Sequence, residues 1–337
     1  RVSLYVPEGK TLVLFGPSGA GKTVLLRLIS GVIEPDEGHI KISGMDVDGV
    51  EPEDRNIGMA FQNFALFPHM DAHANIASPL TAQKKDKSAI QAGVQGLAKL
   101  LKIDHVLGHK PKELSNGQKQ RTALARALAG KPKILLLDDP LRNVDAKLRF
   151  EMRLELPNLL YEQNATVIYV TQDYKEAMAF GDQIAVINGG VIQQIGTPEA
   201  IYLTPANVEI ARLFGDPVIN LLDVTLQKDA SGVFALISEK RIDLDASYAS
   251  VVGLECCLGI RPESVLFVDR DHKSAVPVTV EAETPLNEKT VNLCLTARGR
   301  EIMASRPSGT QGPAGGEAFV AIEAASAMIF DKQTGAL

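Results

Sequence analysis

One stretch near the start of the chain combines residue types that bind phosphate. It follows the pattern G-x-x-x-x-G-K-[ST] and consists of Gly16, Pro17, Ser18, Gly19, Ala20, Gly21, Lys22 and Thr23. Glycine lets backbone N–H groups approach phosphate oxygens without a Cβ in the way. The spacing predicts that Lys22 reaches the β- and γ-phosphates of a nucleotide and that the Thr23 hydroxyl ligates Mg²⁺.

The residues on either side of this loop supply the elements that it requires. Residues 11–15 form a short apolar, β-prone run, and residues 24–29 continue as an amphipathic helix. A strand, a glycine loop and a helix in this order aim the positive end of the helix dipole at a bound phosphate. A glycine-rich turn that fits the pattern by chance is the alternative, and the flanking elements argue against it.

Polar side chains follow several other apolar runs. Asp138 and Asp139 come after residues 134–137, Gln62 ends a run over 56–61, and Gln172 follows residues 166–170. Asp138 has the position of a Mg²⁺-binding carboxylate, although an ordinary polar strand end is the alternative when the run is taken alone. Strands alternate with helices up to about residue 215, which predicts a mainly parallel α/β sheet. Phe15, Gln62, Asp138 and Gln172 are then expected at its carboxyl edge, where ligands bind.

Composition limits the class of protein. The 337 residues are 45% hydrophobic and 23% charged, with a net charge of −6, which is typical of a globular chain of two or three domains. The absence of a basic block disfavours a nucleic-acid partner. No apolar run approaches the roughly 20 residues needed to span a bilayer. Cys256, Cys257 and Cys294 lie in apolar β-like runs and are expected to be reduced core residues.

The two ends of the chain read differently from its middle. After residue 215 short β-prone runs separated by turns predict a second, all-β domain of barrel type. Residues 2–6 read as a strand already under way, so we expect a segment to precede Arg1.

A third group of motifs identifies a family. Residues 114–121, which read Leu-Ser-Asn-Gly-Gln-Lys-Gln-Arg, resemble the signature motif of ABC-transporter ATPase subunits. Phe61-Gln62 is similar to the family's Q-loop, residues 141–146 are similar to its D-loop, and Thr171-Gln172-Asp173 has the place of its switch. Residues 259–263, Gly-Ile-Arg-Pro-Glu, resemble the C-terminal β domain of the importer branch that takes up maltose, glycerol phosphate and polyamines.

The resemblance implies a fold and a site. The fold is a P-loop NTPase, RecA-like domain over residues 1–214, with a helical subdomain at about 80–130, followed by an OB-like β domain over 215–337. Two such subunits pair head to tail, and each ATP lies between one phosphate loop and the other chain's signature. The nucleotide then contacts the phosphate loop and the residues Gln62, Ser115, Gly117, Gln118 and Asp145. Thr23, Gln62 and Asp138 hold Mg²⁺, and an adenine-stacking aromatic is expected in the segment before Arg1.

The resemblance also implies partners and a location. These are a second ATPase subunit, two transmembrane permease subunits and, indirectly, a solute-binding protein, at the cytoplasmic face of the plasma membrane. Residues 64–70 would help to form the groove for a permease helix, with plain subdomain packing as the alternative. The branch favours a carbohydrate, a polyol or a glycerol-type solute. A soluble ABC protein that acts on nucleic acid or ribosomes, or a regulatory module, is the alternative function.

Three residues depart from the family's pattern. Asp139 stands where the family has a catalytic Glu, Gln172 where it has His, and Asn116 where the signature has its first Gly. Loss of one methylene retracts the carboxylate by about 1 Å, and Gln cannot carry charge. Asp139 and Gln172 remain the catalytic candidates. We expect a site that binds ATP, hydrolyses it slowly and pairs with a non-identical, intact subunit; the alternative is a homodimer with slower turnover.

Overall fold

A computed structural model describes residues 2–237, 239–310, 312–313 and 315–337. The chain divides into two compact units, Arg1–Pro198 (unit 1) and Glu199–Leu337 (unit 2). The boundary expected between residues 214 and 215 follows the loss of helices from the sequence pattern, and it stays a prediction.

Unit 1 is built on a six-stranded sheet. Its strands and those of a small hairpin are β1 (Thr11–Phe15), β2 (Lys41–Ile42), β3 (Met45–Asp46), β4 (Ile57–Ala60), β5 (Ile134–Asp138), β6 (Thr166–Thr171), β7 (Gln183–Asn188) and β8 (Val191–Gly196). The large sheet has the order β4–β5–β6–β1–β7–β8, with every neighbouring pair parallel except β7 with β8. The predicted mainly parallel sheet is confirmed. Its central strands β5, β6 and β1 are apolar because they are buried on both faces.

The α-helices in the described part of unit 1 are α1 (Lys22–Ser30), α2 (Ala72–Ala82), α3 (Lys87–Leu100), α4 (Asn116–Ala129), α5 (Ala146–Glu162) and α6 (Tyr174–Phe180). Helices α2, α3 and α4 pack against one another. The helical subdomain expected at about 80–130 stays a prediction. The sequence pattern missed α2, which contains Pro79 and begins where the Asp71 carboxylate accepts a hydrogen bond from the Ala74 N–H at 2.7 Å.

The strand expected over residues 2–6 is wrong for this part of the chain. The structure assigns no strand to these residues. Val2, Leu4 and Val6 nevertheless pack against the buried side chains of the large sheet. Their alternation therefore reflects packing on one face, without the backbone pairing that defines a strand.

Unit 2 follows the predicted change to strands. After two short helices, α7 (Pro198–Leu203) and α8 (Val208–Leu213), its strands are β9 (Asn220–Thr225), β10 (Gln227–Asp229), β11 (Gly232–Ile237), β12 (Lys240–Leu244), β13 (Glu255–Ile260), β14 (Val265–Phe267), β15 (Val276–Pro285), β16 (Lys289–Thr296), β17 (Glu301–Pro307), β18 (Gly316–Ile322) and β19 (Met328–Asp331). They form three antiparallel sheets, β10–β11–β12, β19–β13–β9 and β14–β18–β15–β16–β17.

One apolar core joins the three sheets of unit 2. It includes Leu222 of β9, Ala235 of β11, Leu258 of β13 and Val276 of β15. The thiols of the three cysteines are free, as predicted. Cys256 lies in this core, whereas its neighbour Cys257 packs against a second cluster, so the two side chains point to opposite faces of β13.

Candidate nucleotide-binding site

A pocket of about 200 Å³ lies at the carboxyl edge of the large sheet. Its lining consists of Ser18, Gly19, Gly21, Lys22, Thr23, Val24, Gln62, Asp138, Asp139, Arg142, Val170 and Gln172. The structure thus brings together most of the residues that were predicted separately from the phosphate loop, the strand ends and the switch position. Arg142 is the one chemically active side chain in this lining that the sequence analysis did not single out.

The glycines of the loop are required by its geometry. A Cβ on Gly16 would lie 2.1 Å from the Ile187 carbonyl oxygen, so no larger residue fits there without moving β7. Gly19 and Gly21 have φ values of 82° and 96°, a region that disfavours side chains. Gly21 is also the N-cap residue of α1. The loop therefore leaves its backbone N–H groups open to an anion next to the N-terminus of a helix.

The Lys22 side chain is held over the phosphate loop by carbonyl groups of the loop backbone. The Nζ atom donates to the carbonyl oxygens of Gly16 and Pro17, both at 2.7 Å. The side chain is only 6% exposed, and this burial lowers the pKa of the ammonium group, while the carboxylates of Asp139 and Asp138 oppose the shift. The cation is thus positioned within the pocket by groups that phosphate oxygens can replace as acceptors.

Thr23 and Asp138 place two oxygen atoms side by side. The Thr23 hydroxyl donates to Asp138 Oδ1 at 3.3 Å, and Asp138 is 3% exposed. Burial raises the pKa of the Asp138 carboxyl, against the opposing effects of the Thr23 hydroxyl and of Lys22. A hydroxyl and a carboxylate are ligands that suit Mg²⁺, and the exposed Gln62 amide lines the same pocket. The donor set therefore fits the predicted metal.

The backbone of Asp139 is fixed from two sides. Its N–H donates to the Val170 carbonyl at 3.0 Å, and its carbonyl accepts from Gln120 Nε2 at 2.6 Å. Its φ of 50° is unusual for a residue other than glycine, although Asp tolerates it better than most. Burial raises the pKa of the carboxyl, and the Arg142 guanidinium opposes this effect. The position of the carboxylate is consequently set by its side-chain length.

The switch residue Gln172 is exposed and stands on an ordered turn. Thr171, the last residue of β6, donates from its hydroxyl to Glu176 Oε2 at 2.8 Å and accepts from the Asp173 N–H at 3.0 Å. The Asp173 carboxylate in turn accepts from the Lys175 N–H at 2.8 Å, where α6 begins. Hydrogen bonds on both sides of Gln172 therefore fix where its side chain starts.

Glu176 was missed by sequence reasoning, which treated it as an ordinary helical residue. It is 1% exposed and accepts hydrogen bonds on one oxygen from the hydroxyls of Tyr169 and Thr171, both at 2.8 Å. Burial raises the pKa of its carboxyl from 4.5 to about 7, against the opposing effect of those two hydroxyls. An acidic residue inside a short apolar helix segment is the only signal that the sequence offered.

We expect the substitution Glu176→Gln to stabilise the chain increasingly as pH rises. The folded protein keeps a proton that the unfolded chain releases between pH 4.5 and about 7, so the contribution of Glu176 is fully present below pH 4.5 and is lost as pH passes about 7. Gln retains an oxygen for both hydroxyls without ionising. Urea unfolding at pH 5 to 8 measures the difference in free energy of unfolding between Glu176→Gln and the wild type. This difference should widen with pH by about 3 kcal/mol or less.

The exposed Glu162, replaced by Gln, is the control for this measurement. Because substitutions at exposed positions seldom change stability, this variant should stay within about 0.5 kcal/mol of the wild type throughout the series. A Glu176→Gln gap that is equally flat would contradict the burial argument.

The signature residues lie elsewhere in unit 1. Ser115 caps α4: its hydroxyl accepts from the Gln118 N–H at 3.3 Å, and its own N–H donates to Gln118 Oε1 at 2.9 Å. A Cβ on Gly117 would lie 2.9 Å from the Asn143 carbonyl oxygen, so the D-loop backbone requires glycine there. The exposed Asn116, by contrast, is the first residue of the helix.

Asp145 also serves as a cap in this chain. Its carboxylate accepts from the Leu148 N–H at 3.0 Å where α5 begins, and this bond lowers the pKa of the carboxyl. Within the described residues, Ser115, Gly117, Gln118 and Asp145 do not line the pocket. Their predicted contact with a nucleotide of a second chain stays a prediction.

The segment after Gln62 is held by α4. Arg126, which is buried, donates to the carbonyls of Ala65 at 2.9 Å and Phe64 at 3.3 Å, and its guanidinium lies 5.2 Å from the Phe67 ring centre. Phe64 and Ala65 have φ values of 68° and 45°. The backbone is thus packed in place, while the Phe67 ring remains partly exposed, so the expected permease groove stays a prediction.

Comparisons with known proteins agree in their description. A family model described as ABC transporter matches residues 1–142. The trehalose/maltose import ATP-binding protein MalK of Thermococcus litoralis is 40% identical over 99% of this chain and 94% of its own length. The sn-glycerol-3-phosphate import ATP-binding protein UgpC of Escherichia coli (strain K12) is 37% identical over 99% and 93%.

A solved structure resembles part of the chain. It is the dimeric, post-hydrolysis state of the ATP-binding cassette MJ0796 bound to ADP and Pi, with a TM-score of 0.54 and 30% identity. The match covers 58% of this chain and 88% of that one. In the described residues no helix is both long enough and apolar enough to cross a membrane.

Proposed function

The chain belongs to the ABC transporter family, and we propose that it is the ATP-binding subunit of an importer in which ATP binding and hydrolysis drive uptake of a carbohydrate, polyol or glycerol-type solute. The observation that carries this proposal is that residues of the phosphate loop, among them Lys22 and Thr23, line the same pocket as Asp138. The two relatives, which import trehalose and maltose or sn-glycerol-3-phosphate and match over nearly their whole length, support the solute class.

The residues of the pocket divide the work of binding. The loop N–H groups and the Lys22 ammonium bind the phosphates, and their hydrogen bonds replace those that Lys22 makes with the loop carbonyls. Thr23 and Asp138, with Gln62, would hold Mg²⁺, which neutralises phosphate charge when bound. Ser115 and Gly117 would contact the nucleotide of a second subunit, so ATP closes the pair; the dimeric cassette among the similar structures supports this arrangement.

Asp139 and Gln172 are the residues for the hydrolytic step. The Asp139 carboxylate would accept the proton of the attacking water, and Gln172 would donate a hydrogen bond to a phosphate oxygen. The fixed backbone of Asp139 cannot compensate for its short side chain. We therefore infer a slow site in this chain and a non-identical partner with an intact one; a homodimer with slower turnover is the alternative.

The similar relatives are import proteins, and the similar ATP-binding cassette is a dimer. For this chain we propose two permease subunits and a solute-binding protein, with the ATPase at the cytoplasmic face of the membrane.

The test is to purify the chain with its companion subunits and to replace Lys22 by Ala here and the equivalent lysine in the partner, one at a time. We expect Lys22→Ala to weaken Mg-ATP binding to this chain by more than about 10-fold, since a charge-assisted contact to phosphate is lost. Loss of the partner's lysine should remove most ATP hydrolysis, whereas Lys22→Ala should remove less.

The exposed Lys41, replaced by Ala, is the control and should change neither quantity. Equal losses of hydrolysis from the two lysine substitutions would contradict the asymmetric pair. No affinity of the intact preparation for Mg-ATP would contradict the ATPase itself.

A further inference from the structure

Arg142 brings a second cation into the nucleotide pocket. Within the described part of the lining, it and Lys22 are the two residues with cationic side chains. Its Nη1 lies 3.8 Å from Asp139 Oδ2, and its side chain is about half exposed. The guanidinium therefore faces both the pocket and the proposed hydrolytic carboxylate.

The backbone that carries Arg142 is held on both sides. Its N–H donates to the Asp139 carbonyl at 3.2 Å, and its carbonyl accepts from Arg149 Nη2 at 3.0 Å. The next residue, Asn143, donates from its N–H to Gln120 Oε1 at 2.8 Å. The same Gln120 side chain contacts the Asp139 carbonyl. The attachment point of the guanidinium is consequently fixed relative to Asp139, and movement of the group is left to its own side chain.

The contact between Arg142 and Asp139 is loose. A separation of 3.8 Å exceeds the range of direct N–H···O hydrogen bonds, which ends near 3.2 Å. A guanidinium carries five N–H donors arranged to bind two oxygens at once, a geometry that suits phosphate. Arg142 is half exposed, so water competes for its guanidinium and weakens its pairing with Asp139, whose side chain is 13% exposed. A phosphate group entering the pocket therefore offers Arg142 better acceptors than Asp139 does.

The charges in the pocket favour such an exchange. The pocket is lined by two cationic side chains, Lys22 and Arg142, and by two acidic ones, Asp138 and Asp139, so cationic and acidic groups are equal in number. A bound nucleotide adds several negative charges to the pocket. A triphosphate adds more than a diphosphate, because it carries one further phosphate group. Because the Lys22 ammonium is buried and confined by the loop, the half-exposed Arg142 is the cation with freedom to turn toward the added charge.

We propose that Arg142 binds the terminal phosphate of ATP in this chain's own site and makes the site prefer the triphosphate over the diphosphate. This inference rests on the proposed function. Arg142 exchanges its contact with Asp139 for phosphate oxygens, so it acts as a specificity-determining residue. A site that retains ATP by an added cation suits a subunit whose own hydrolysis is slow.

The test measures binding of two nucleotides to the full chain. Calorimetry gives the dissociation constants of Mg-ADP and of the Mg complex of the non-hydrolysable β,γ-imido analogue of ATP, for the wild type, Arg142→Gln and Arg142→Lys. We expect Arg142→Gln to weaken binding of the triphosphate about 10-fold or more and binding of ADP less than about 2-fold. Arg142→Lys keeps the positive charge but loses the planar guanidinium with its paired N–H donors. Its affinity for the triphosphate should lie between those of the wild type and Arg142→Gln.

Arg153→Gln is the matched control, because Arg153 lies on α5 with its guanidinium over the Phe150 ring and outside the pocket lining. It should change neither dissociation constant. Equal weakening of both nucleotides by Arg142→Gln, or no weakening, would overturn the role of Arg142 while leaving the ATPase proposal in place. A wild-type chain that binds neither nucleotide would overturn both.

Discussion

Replacing Asp139 by Glu and Gln172 by His in the same chain should raise ATP hydrolysis at this chain's site by about 100-fold. The expectation depends on distance. A reacting group misplaced by about 1 Å can lose two orders of magnitude in rate, and one methylene spans about that distance. Histidine at position 172 adds a group that can be charged near neutral pH, which Gln cannot be.

The structure explains why the missing methylene is not recovered by a shift of the chain. The Asp139 N–H and carbonyl are both engaged, with Val170 and Gln120 respectively, and Val170 belongs to the neighbouring strand β6. The turn that carries Gln172 is fixed by Thr171 and Asp173 in the same way. Longer side chains on these fixed points extend into the pocket that both residues line.

The measurement is the steady-state hydrolysis of Mg-ATP by the assembled complex, with the partner's site disabled by substitution of its phosphate-loop lysine. The single variants separate the two effects, and we expect Asp139→Glu to contribute more. Asp36→Glu, which lengthens an exposed acid in a bend, is the control. An unchanged rate in the double variant, with Mg-ATP binding intact, would show that side-chain length at position 139 does not limit this site.

The phosphate loop and the strand ends were predictable because their signals are local. A run such as residues 134–137 is apolar throughout, since β5 is buried on both faces, and the polar residues that follow it must lie at one edge of a parallel sheet. The order of the strands was not predictable. β1 lies between β6 and β7, and nothing in its five residues specifies neighbours more than 150 positions away.

The contacts of charged side chains could not be predicted from the sequence for a related reason. Arg126 lies in an Ala- and Leu-rich run, and Arg142 lies between Leu141 and Asn143. Neither context specifies that Arg126 is buried against residues about 60 positions earlier or that Arg142 faces the pocket. Burial of an arginine depends on carbonyl groups supplied by distant segments, and these carry no side-chain signal. Glu176 escaped notice likewise, because its partners Tyr169 and Thr171 lie on a neighbouring strand.

Arg261 gives the largest stability effect that we expect in unit 2. The motif around it entered the sequence analysis through resemblance alone, and the structure supplies a physical role. Arg261 is 2% exposed and donates from Nη1 to the carbonyls of Ala211, at 2.9 Å, and Phe214, and from Nη2 to that of Tyr202 at 2.8 Å. Its guanidinium also stacks 3.9 Å from the Tyr202 ring centre. One side chain thus joins α7 and α8 to strand β13.

Replacing Arg261 by Met should lower the free energy of unfolding by about 3 to 5 kcal/mol, because Met fills similar space but leaves buried carbonyls without a donor. Arg261→Lys should lose less, since a single ammonium serves some of the carbonyls but cannot stack as a plane. Urea unfolding of the full chain, followed by circular dichroism, measures both. The exposed Arg270, replaced by Met, is the control and should stay within about 0.5 kcal/mol of the wild type. If Arg261→Met unfolded at the same urea concentration as this control, the carbonyl contacts would contribute nothing net, and the arginine would have to be retained for a reason other than the stability of unit 2.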